Sequence, residues 1–429
     1  MKNAEQNRAK RENFDSISEN PLHIMLIMGL MGAFFWAIRG TGGYGGSQGA
    51  ALAGLGWGLL WWHFSSIDGN GSLRPYGSVR MIAALTFGMA IGGMTGYGVY
   101  TAWVRGDFYL NHPEGVREVG AWTGYAMLFV CGLHWGGIAG AFMAWCAPGP
   151  PLGLRGWGMR IGAGIVGAVL AGLLVRTFPQ FVLPFYREGL YGNPENATCR
   201  RALGSVQNIA PHVGLFLGFL AFELFRGDRR AVGMILVMSL GFAIPFSMGG
   251  WWHTFDSSPL RIDWWKNWEM SIGLGGGLAI GLAFLRFNRP DPPASPRSDS
   301  VKARIWGAGF PLGLASFLVF MGAYKGVSGH FGLDWPAWVR PAVSLAYVVP
   351  AGAAFLLWAR AQTRAGGAMA PLPAWTVPGV LALIVVSGYA VSIPPKMALA
   401  NGVLLFLYTV YLGASLLLYG LLSKQRRGA

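Results

Sequence analysis

Apolar residues run along this chain in long blocks, and each block closes in a short polar, basic or glycine-rich stretch. A helix that crosses a bilayer needs roughly 20 mainly apolar residues. By that measure the pattern predicts about twelve spans, near 22–38, 46–64, 80–103, 119–146, 158–177, 209–225, 231–250, 269–287, 303–324, 339–359, 375–393 and 399–422. Barrel strands of roughly ten residues are far too short for these blocks. The expected fold is therefore an all-α polytopic membrane protein, and its first expected partner is a lipid bilayer.

Lys and Arg collect at the block ends. With the N-terminus placed inside, 21 of the 33 Lys and Arg fall on the side of both termini. Such asymmetry sets orientation. It predicts two cytoplasmic termini, with the bacterial inner membrane as the expected location. The tails are residues 1–20 and the basic residues 424–429. The first twenty residues are polar and no small-residue cleavage pattern follows the first block, so that block is expected to remain as a signal anchor.

The chain also repeats itself. "RMIAALTFGMAIGGMTGYGVYTAW" from Arg80 and "GMILVMSLGFAIPFSMGGWWHTFD" from Gly233 match without gaps at seven of 24 positions, Gly88 over Gly241 and Thr101 over Thr254 among them. The blocks on either side match in the same order. Residues 21–146 and 158–287 therefore read as two copies of one four-helix unit. An even number of spans per unit makes the copies parallel. Residues 288–302 hold a Pro/Ser-rich cytoplasmic linker, and 303–423 read as a third, degenerate unit. Glycines spaced by four (Gly88, Gly92 and Gly96; Gly273, Gly277 and Gly281) form helix faces that let a neighbour approach closely.

Composition fits this picture. Hydrophobic residues make up 53% of the chain and charged residues 12%, against about 25% charged in ordinary soluble domains. The net charge of +15 does not imply nucleic acid, because the basic residues punctuate apolar segments instead of lining one face. Cys131, Cys146 and Cys199 show neither metal-ligand spacing nor a disulfide framework. No cofactor motif is present, and none is expected; a homo-oligomer is compatible with the sequence.

Candidate chemistry gathers on the predicted outer face. "GGWWHTFDSSPLRIDWWKNWE", Gly249 to Glu269, holds five tryptophans beside Trp252's neighbours His253, Asp256, Asp263 and Glu269, with Trp268 near its end. Interfacial anchoring explains tryptophan there, but not the acids and the histidine. Aromatic faces beside carboxylates suit a sugar or an organic cation. The equivalent loop of the first unit brings Tyr100 and Trp103. "WAIRGTGGYGGSQGA" adds Arg39, Tyr44 and Gln48; it reads either as a solute-binding bend or as a tight interfacial turn with Arg39 snorkelling to water. The matching entry of the second unit offers Gln207, Asn208 and His212, with Pro211 expected to break the helix near the outer surface. His134 lies deep in its block, where an ionisable residue is a functional candidate; His63 and Glu223 lie at cytoplasmic block ends and read as interfacial.

Two functions follow as expectations. One is a transporter of a small polar solute, sugar-like or an organic cation, with a Trp/acid-rich site open to the extracytoplasmic face. The other is a membrane-embedded enzyme acting on an envelope glycan or lipid-linked substrate at that face. A membrane scaffold that binds a partner protein through the exposed tryptophans is a third. A transporter requires polar residues at mid-membrane depth between units, whereas an enzyme requires only an outer pocket.

Overall fold

The computed structural model describes residues 21–39, 46–66, 74–78, 80–93, 97–108, 117–147, 152–255, 259, 262–289, 324, 328, 332–333, 336–364, 376–392 and 399–428. Within them the chain is helical almost throughout. The helices are α1 (Pro21–Arg39), α2 (Gly46–Ser66), α3 (Arg80–Gly92), α4 (Gly98–Val104), α5 (Ala121–Ala144), α6 (Leu154–Thr177), α7 (Glu188–Tyr191), α8 (Ala197–Phe225), α9 (Arg229–Met248), α10 (Trp264–Phe287), α11 (Val339–Arg364), α12 (Thr376–Ser392) and α13 (Leu399–Gly428). Two-residue strands, Asp107–Phe108 and Arg117–Glu118, pair antiparallel above the bundle, with Asp107 opposite Glu118. Seven of the described helical segments are long and apolar enough to cross a membrane: those at Leu22–Arg39, Ala121–Ala144, Leu154–Thr177, Ala197–Phe225, Arg229–Phe255, Trp264–Phe287 and Gly402–Ser423. This is the architecture of an all-α, multi-pass membrane protein. The described parts of the apolar blocks are helical almost throughout, and of 303–324 Tyr324 alone is among the described residues.

Two boundaries differ from the sequence pattern, each for a local reason. The block 80–103 is not one helix. It stops at Gly92, and α4 begins after Tyr97 as a separate, largely buried seven-residue turn. The glycines at Gly92 and Gly93 press on the Trp135 side chain, leaving no room for a Cβ. α9 instead runs directly into a 3-10 segment at Gly249–Phe255, and its last residue, Met248, aligns three positions beyond the end of α3. In the other departure, Pro211 does not open a helix. It sits inside the 29-residue α8, about 20 Å below its first residue.

Helices meet through small residues at their closest contacts, buried Trp and Phe side chains fill the wider gaps, and other large apolar side chains face outwards. α1 and α10 run antiparallel, with Gly273 against Gly32 and Gly277 against Met28 and Gly29. A Cβ at Gly277 or Gly273 would overlap backbone carbonyl groups of α1. Without hydrophobic drive between helices in lipid, such close van der Waals contact is what holds them. α5 meets α9 through Gly132, Gly136 and Gly140, and α6 meets α8 through Gly164, Gly167, Gly214 and Gly218. Meanwhile Val166, Val169, Leu170, Leu173 and Leu174 of α6 are exposed, as a lipid-facing surface requires. α13 covers α1, where Tyr408 stacks edge-on against Phe34 at 5.1 Å.

The alternating helix directions bring Arg39, Tyr97, the paired strands, the start of α8, Gly249–Phe255 and the start of α10 to one end of the bundle. The opposite end is tied by Asn288, the residue after α10. It is fully buried, its Oδ1 accepts from the Tyr76 amide at 2.9 Å, and its Nδ2 donates to Ser65 Oγ at 2.9 Å.

Candidate functional site: a buried charge cluster in an aromatic cage

Arg39 is the last residue of α1, where the unpaired carbonyls of a helix end favour a cation. Its guanidinium turns inward, to 1% exposure, and Nη2 donates to the Tyr97 hydroxyl at 2.6 Å. The same nitrogen lies 3.4 Å from Glu269 Oε1. Glu269 Oε2 accepts from Lys266 Nζ at 2.5 Å, and Lys266 also donates to the Ala37 carbonyl at 3.1 Å. Glu269 and Lys266 share one face of α10, three residues apart, and both are buried. The cluster therefore joins the C-terminal end of α1 to the N-terminal end of α10, 230 residues apart in sequence.

Aromatic rings enclose it. The Arg39 Cζ is 4.5 Å from the Trp36 ring centroid, 5.0 Å from Trp135 and 5.9 Å from Tyr97. Cation–π attraction strengthens when both partners are out of water. Tyr97 stacks on Trp265 at 6.3 Å, and His253 sits edge-on between Trp265 and Trp268. Burial holds the Tyr97 phenol above its ordinary range, with Arg39 pulling the other way. The Tyr100 phenol, buried against Trp103, is pushed well above that range for the same desolvation reason. Two donors of the cluster have no partner, Arg39 Nε and Trp36 Nε1. Two cations, one carboxylate and two spare N–H groups leave the cage with more donors than acceptors.

The residues singled out from sequence do not all meet. Arg39, Glu269, Trp268 and His253 come together in the cage, while Trp252 closes its rim, donating to Ser271 Oγ at 2.8 Å and stacking on Trp264 at 5.8 Å. Tyr100 and Trp103 lie beside it on α4. Gln207, Asn208 and His212 lie apart, midway along α8, which packs on α4, α5, α6 and α9. Asp263 acts locally, as the N-cap of α10, its Oδ1 accepting the Lys266 amide at 3.0 Å. Gln48 lies in the first turn of α2. Tyr44 and Asp256 lie outside the described residues. No group of three His, Cys, Asp or Glu among the described residues could hold a metal ion.

A second buried cluster lies at the opposite end and corrects the reading of Glu223 as interfacial. Glu223, fully buried at the end of α8, pairs with Arg160 of α6 at 2.7 Å and Arg226 at 3.2 Å, and accepts from Trp145 Nε1 at 3.1 Å. The Arg160 Cζ is 5.0 Å from the Trp145 ring and 4.8 Å from the Trp157 ring. The arrangement repeats the first in kind: an arginine between tryptophans, held by a glutamate of another helix. A signal for it exists, because Glu223 is the one acid in an apolar stretch from Ala202 to Phe225.

Between the clusters lies a polar layer. His134 of α5 is fully buried, ten residues or about 15 Å from the Ala144 end of a 24-residue helix. Its ring is 5.8 Å from that of His212. Ser239 of α9, also buried, is ten residues from Arg229 and so at similar depth. A surface cavity of about 260 Å³ adjoins the cage on the other side of Gly98, lined by Trp103, Asp107, Phe108, Thr198 and Arg201 among others. No family model matches the chain, and neither a curated protein nor a solved structure matches it.

Proposed function

We propose that the chain is a membrane transporter of a small polar solute, entering from the face that carries the Arg39–Glu269 cage. One observation carries this reading: a polar layer, His134, His212 and Ser239, lies at half depth between helices of the two candidate units. A site confined to the outer surface needs no such layer, whereas a path through the bilayer does. Two further features support it. Each end of the bundle is sealed by a buried ion-pair cluster that links different helices, and dense glycine seams give flat surfaces along which helices can shift.

In this reading 21–146 and 158–287 are parallel four-helix repeats and 303–423 a degenerate third, giving twelve spans. The termini lie in the cytoplasm, and the membrane is the bacterial inner membrane. The sequence match supports the repeat; of its matched glycines, Gly136 and Gly276 both meet Phe242 of α9, whereas Gly137 meets Phe216 of α8 and Gly277 meets α1. The excess of cations and N–H donors in the cage favours an oxygen-rich solute, a sugar or carboxylate, over an organic cation.

The cavity beside Trp103, Asp107 and Arg201 supports a second reading, an enzyme acting at the outer face on a glycan or lipid-linked substrate. Counterflow of labelled sugars, carboxylates and amines in proteoliposomes tests the first. Uptake that is lost in Arg39→Ala and Glu269→Ala variants which still insert is the expected result. Turnover of a lipid-linked glycan without solute movement would replace transport by catalysis.

A further inference from the structure

Two facing imidazoles and a serine lie at half depth with hydrogen-bonding capacity unused. Neither ring nitrogen of His134 has a partner, and Ser239 Oγ has none. Gly137, one turn along α5 from His134, shows that they share a seam. A Cβ there would lie 2.6 Å from Ser239 Oγ and run into the Phe216 ring, itself one turn along α8 from His212. The His212 ring makes one bond, its Nδ1 lying 2.8 Å from the Asn208 carbonyl. A carbonyl only accepts, so Nδ1 carries the hydrogen and Nε2 keeps its lone pair. Pro211 beside it has no N–H, which leaves the Gln207 carbonyl without its usual helical donor at the same depth.

Unpartnered polar groups at mid-membrane are expensive and are found where they handle an ion or proton. Two imidazolium charges at this separation would repel each other, so the geometry suits one proton and not two. Among the described residues nothing else charged intervenes. On α5, Cys131 interacts with Tyr97 and Tyr100 of the α4 region. Arg39 lies behind Trp135, fixed by Glu269. α9 offers Ser239 at this level. α6 presents Ala171 and Gly172 to Gly214 and Pro211, and its nearest charge, Arg176, is exposed at the helix end.

We infer that His134 and His212 form a one-proton binding site at mid-membrane, and that this proton is the coupling ion of the solute's movement. The coupling rests on the transport reading; the proton site does not. The proton enters on a ring nitrogen lone pair, turning one imidazole into a cation beside the other ring.

The test uses full-length protein with 15N-labelled histidine in lipid nanodiscs, followed by NMR from pH 4 to 9. One proton should be taken up by the pair, and His134→Gln should change the proton affinity of His212 tenfold or more. The reciprocal variant, His212→Gln, carries the same test at a half-buried position should the first fail to fold. Two rings that stay neutral throughout, or a His212 midpoint unmoved by His134→Gln, would overturn the site. In proteoliposomes with an internal pH dye, solute uptake should acidify the lumen in the wild type and not in His134→Gln. Uptake by the wild type without a dye response refutes coupling and leaves transport standing. A pair that binds its proton while no solute moves refutes transport and leaves the site standing.

Discussion

Glu269 is the carboxylate that holds Arg39 and Lys266 together, and replacing it by glutamine tests whether the cage is as dry as its geometry implies. The substitution keeps shape and removes the charge. Arg39 Nη2 and Lys266 Nζ then face each other without a counter-ion. Their distances to the carboxylate, 3.4 and 2.5 Å, place them within about 8 Å of one another across its two oxygens. At an effective dielectric of about 20 their repulsion is about 2 kcal/mol, and breaking a buried pair costs about 3–5 kcal/mol in all. That is a large part of a typical stability of about 5–15 kcal/mol. Arg39→Met alone should cost less, because the Lys266–Glu269 pair survives. The double variant should be more stable than Glu269→Gln, because it leaves a single cation that still donates to the Ala37 carbonyl. The assay is native to the chain: Cys131 and Cys199 are buried free thiols, so a thiol-reactive fluorophore reports unfolding in detergent. A cost below about 1 kcal/mol for Glu269→Gln, in the range of exposed pairs, or no rescue in the double variant, would mean that the cluster is hydrated and the cage is open.

Gly277→Leu should block assembly of α1 on α10, since even a Cβ overlaps the Met28 backbone, whereas Gly420→Ala, with open space around it, should be neutral in the same thiol assay. The phenols of Tyr97 and Tyr100 have folded-state pKa values raised above the unfolded value near 10, so their contribution is complete below about pH 10 and is lost as pH rises beyond it. Alkaline difference spectra should show these tyrosines ionising together with unfolding, and ionisation near pH 10 in the folded protein would contradict their burial.

What was legible in the sequence follows from what lipid enforces. A bilayer tolerates only long apolar helices, so their positions can be read directly. Arg39 and Glu269 could be read because a charge closing or opening an apolar block must find a partner, and the outer-face count placed both on one side. Their direct contact and the roles of Lys266 and Tyr97 could not, because pairing across 230 residues is set by the α1–α10 seam and by the break after Gly92. Lys266 did carry a clue, three residues before Glu269 on a helix face. Asp263 looked like a ligand among tryptophans, yet a short acid just ahead of an apolar run is also an N-cap, and that local bond prevails. Pro211 looked like a break because Gln207 and Asn208 lower the local hydropathy. The helix runs through them because neighbouring helices supply the surroundings that a proline in lipid needs.

The two charge clusters add one consequence that neither has alone. Each binds helices of the bundle at one end, so a path to the mid-depth layer exists only when one of them opens, and weakening one should expose the layer from that side only. Glu223→Gln leaves Arg160 and Arg226 without a carboxylate, by the same reasoning as Glu269→Gln at the other end. Cys146 sits beside this cluster, next to Trp145, half-buried and free. Its modification by a membrane-impermeant maleimide should therefore accelerate in Glu223→Gln, by up to the ~100-fold that about 3 kcal/mol allows, and stay at the wild-type rate in Glu269→Gln. Equal rates in the two variants would mean that the clusters are staples of one rigid bundle, and the alternation that transport requires would have no physical basis here.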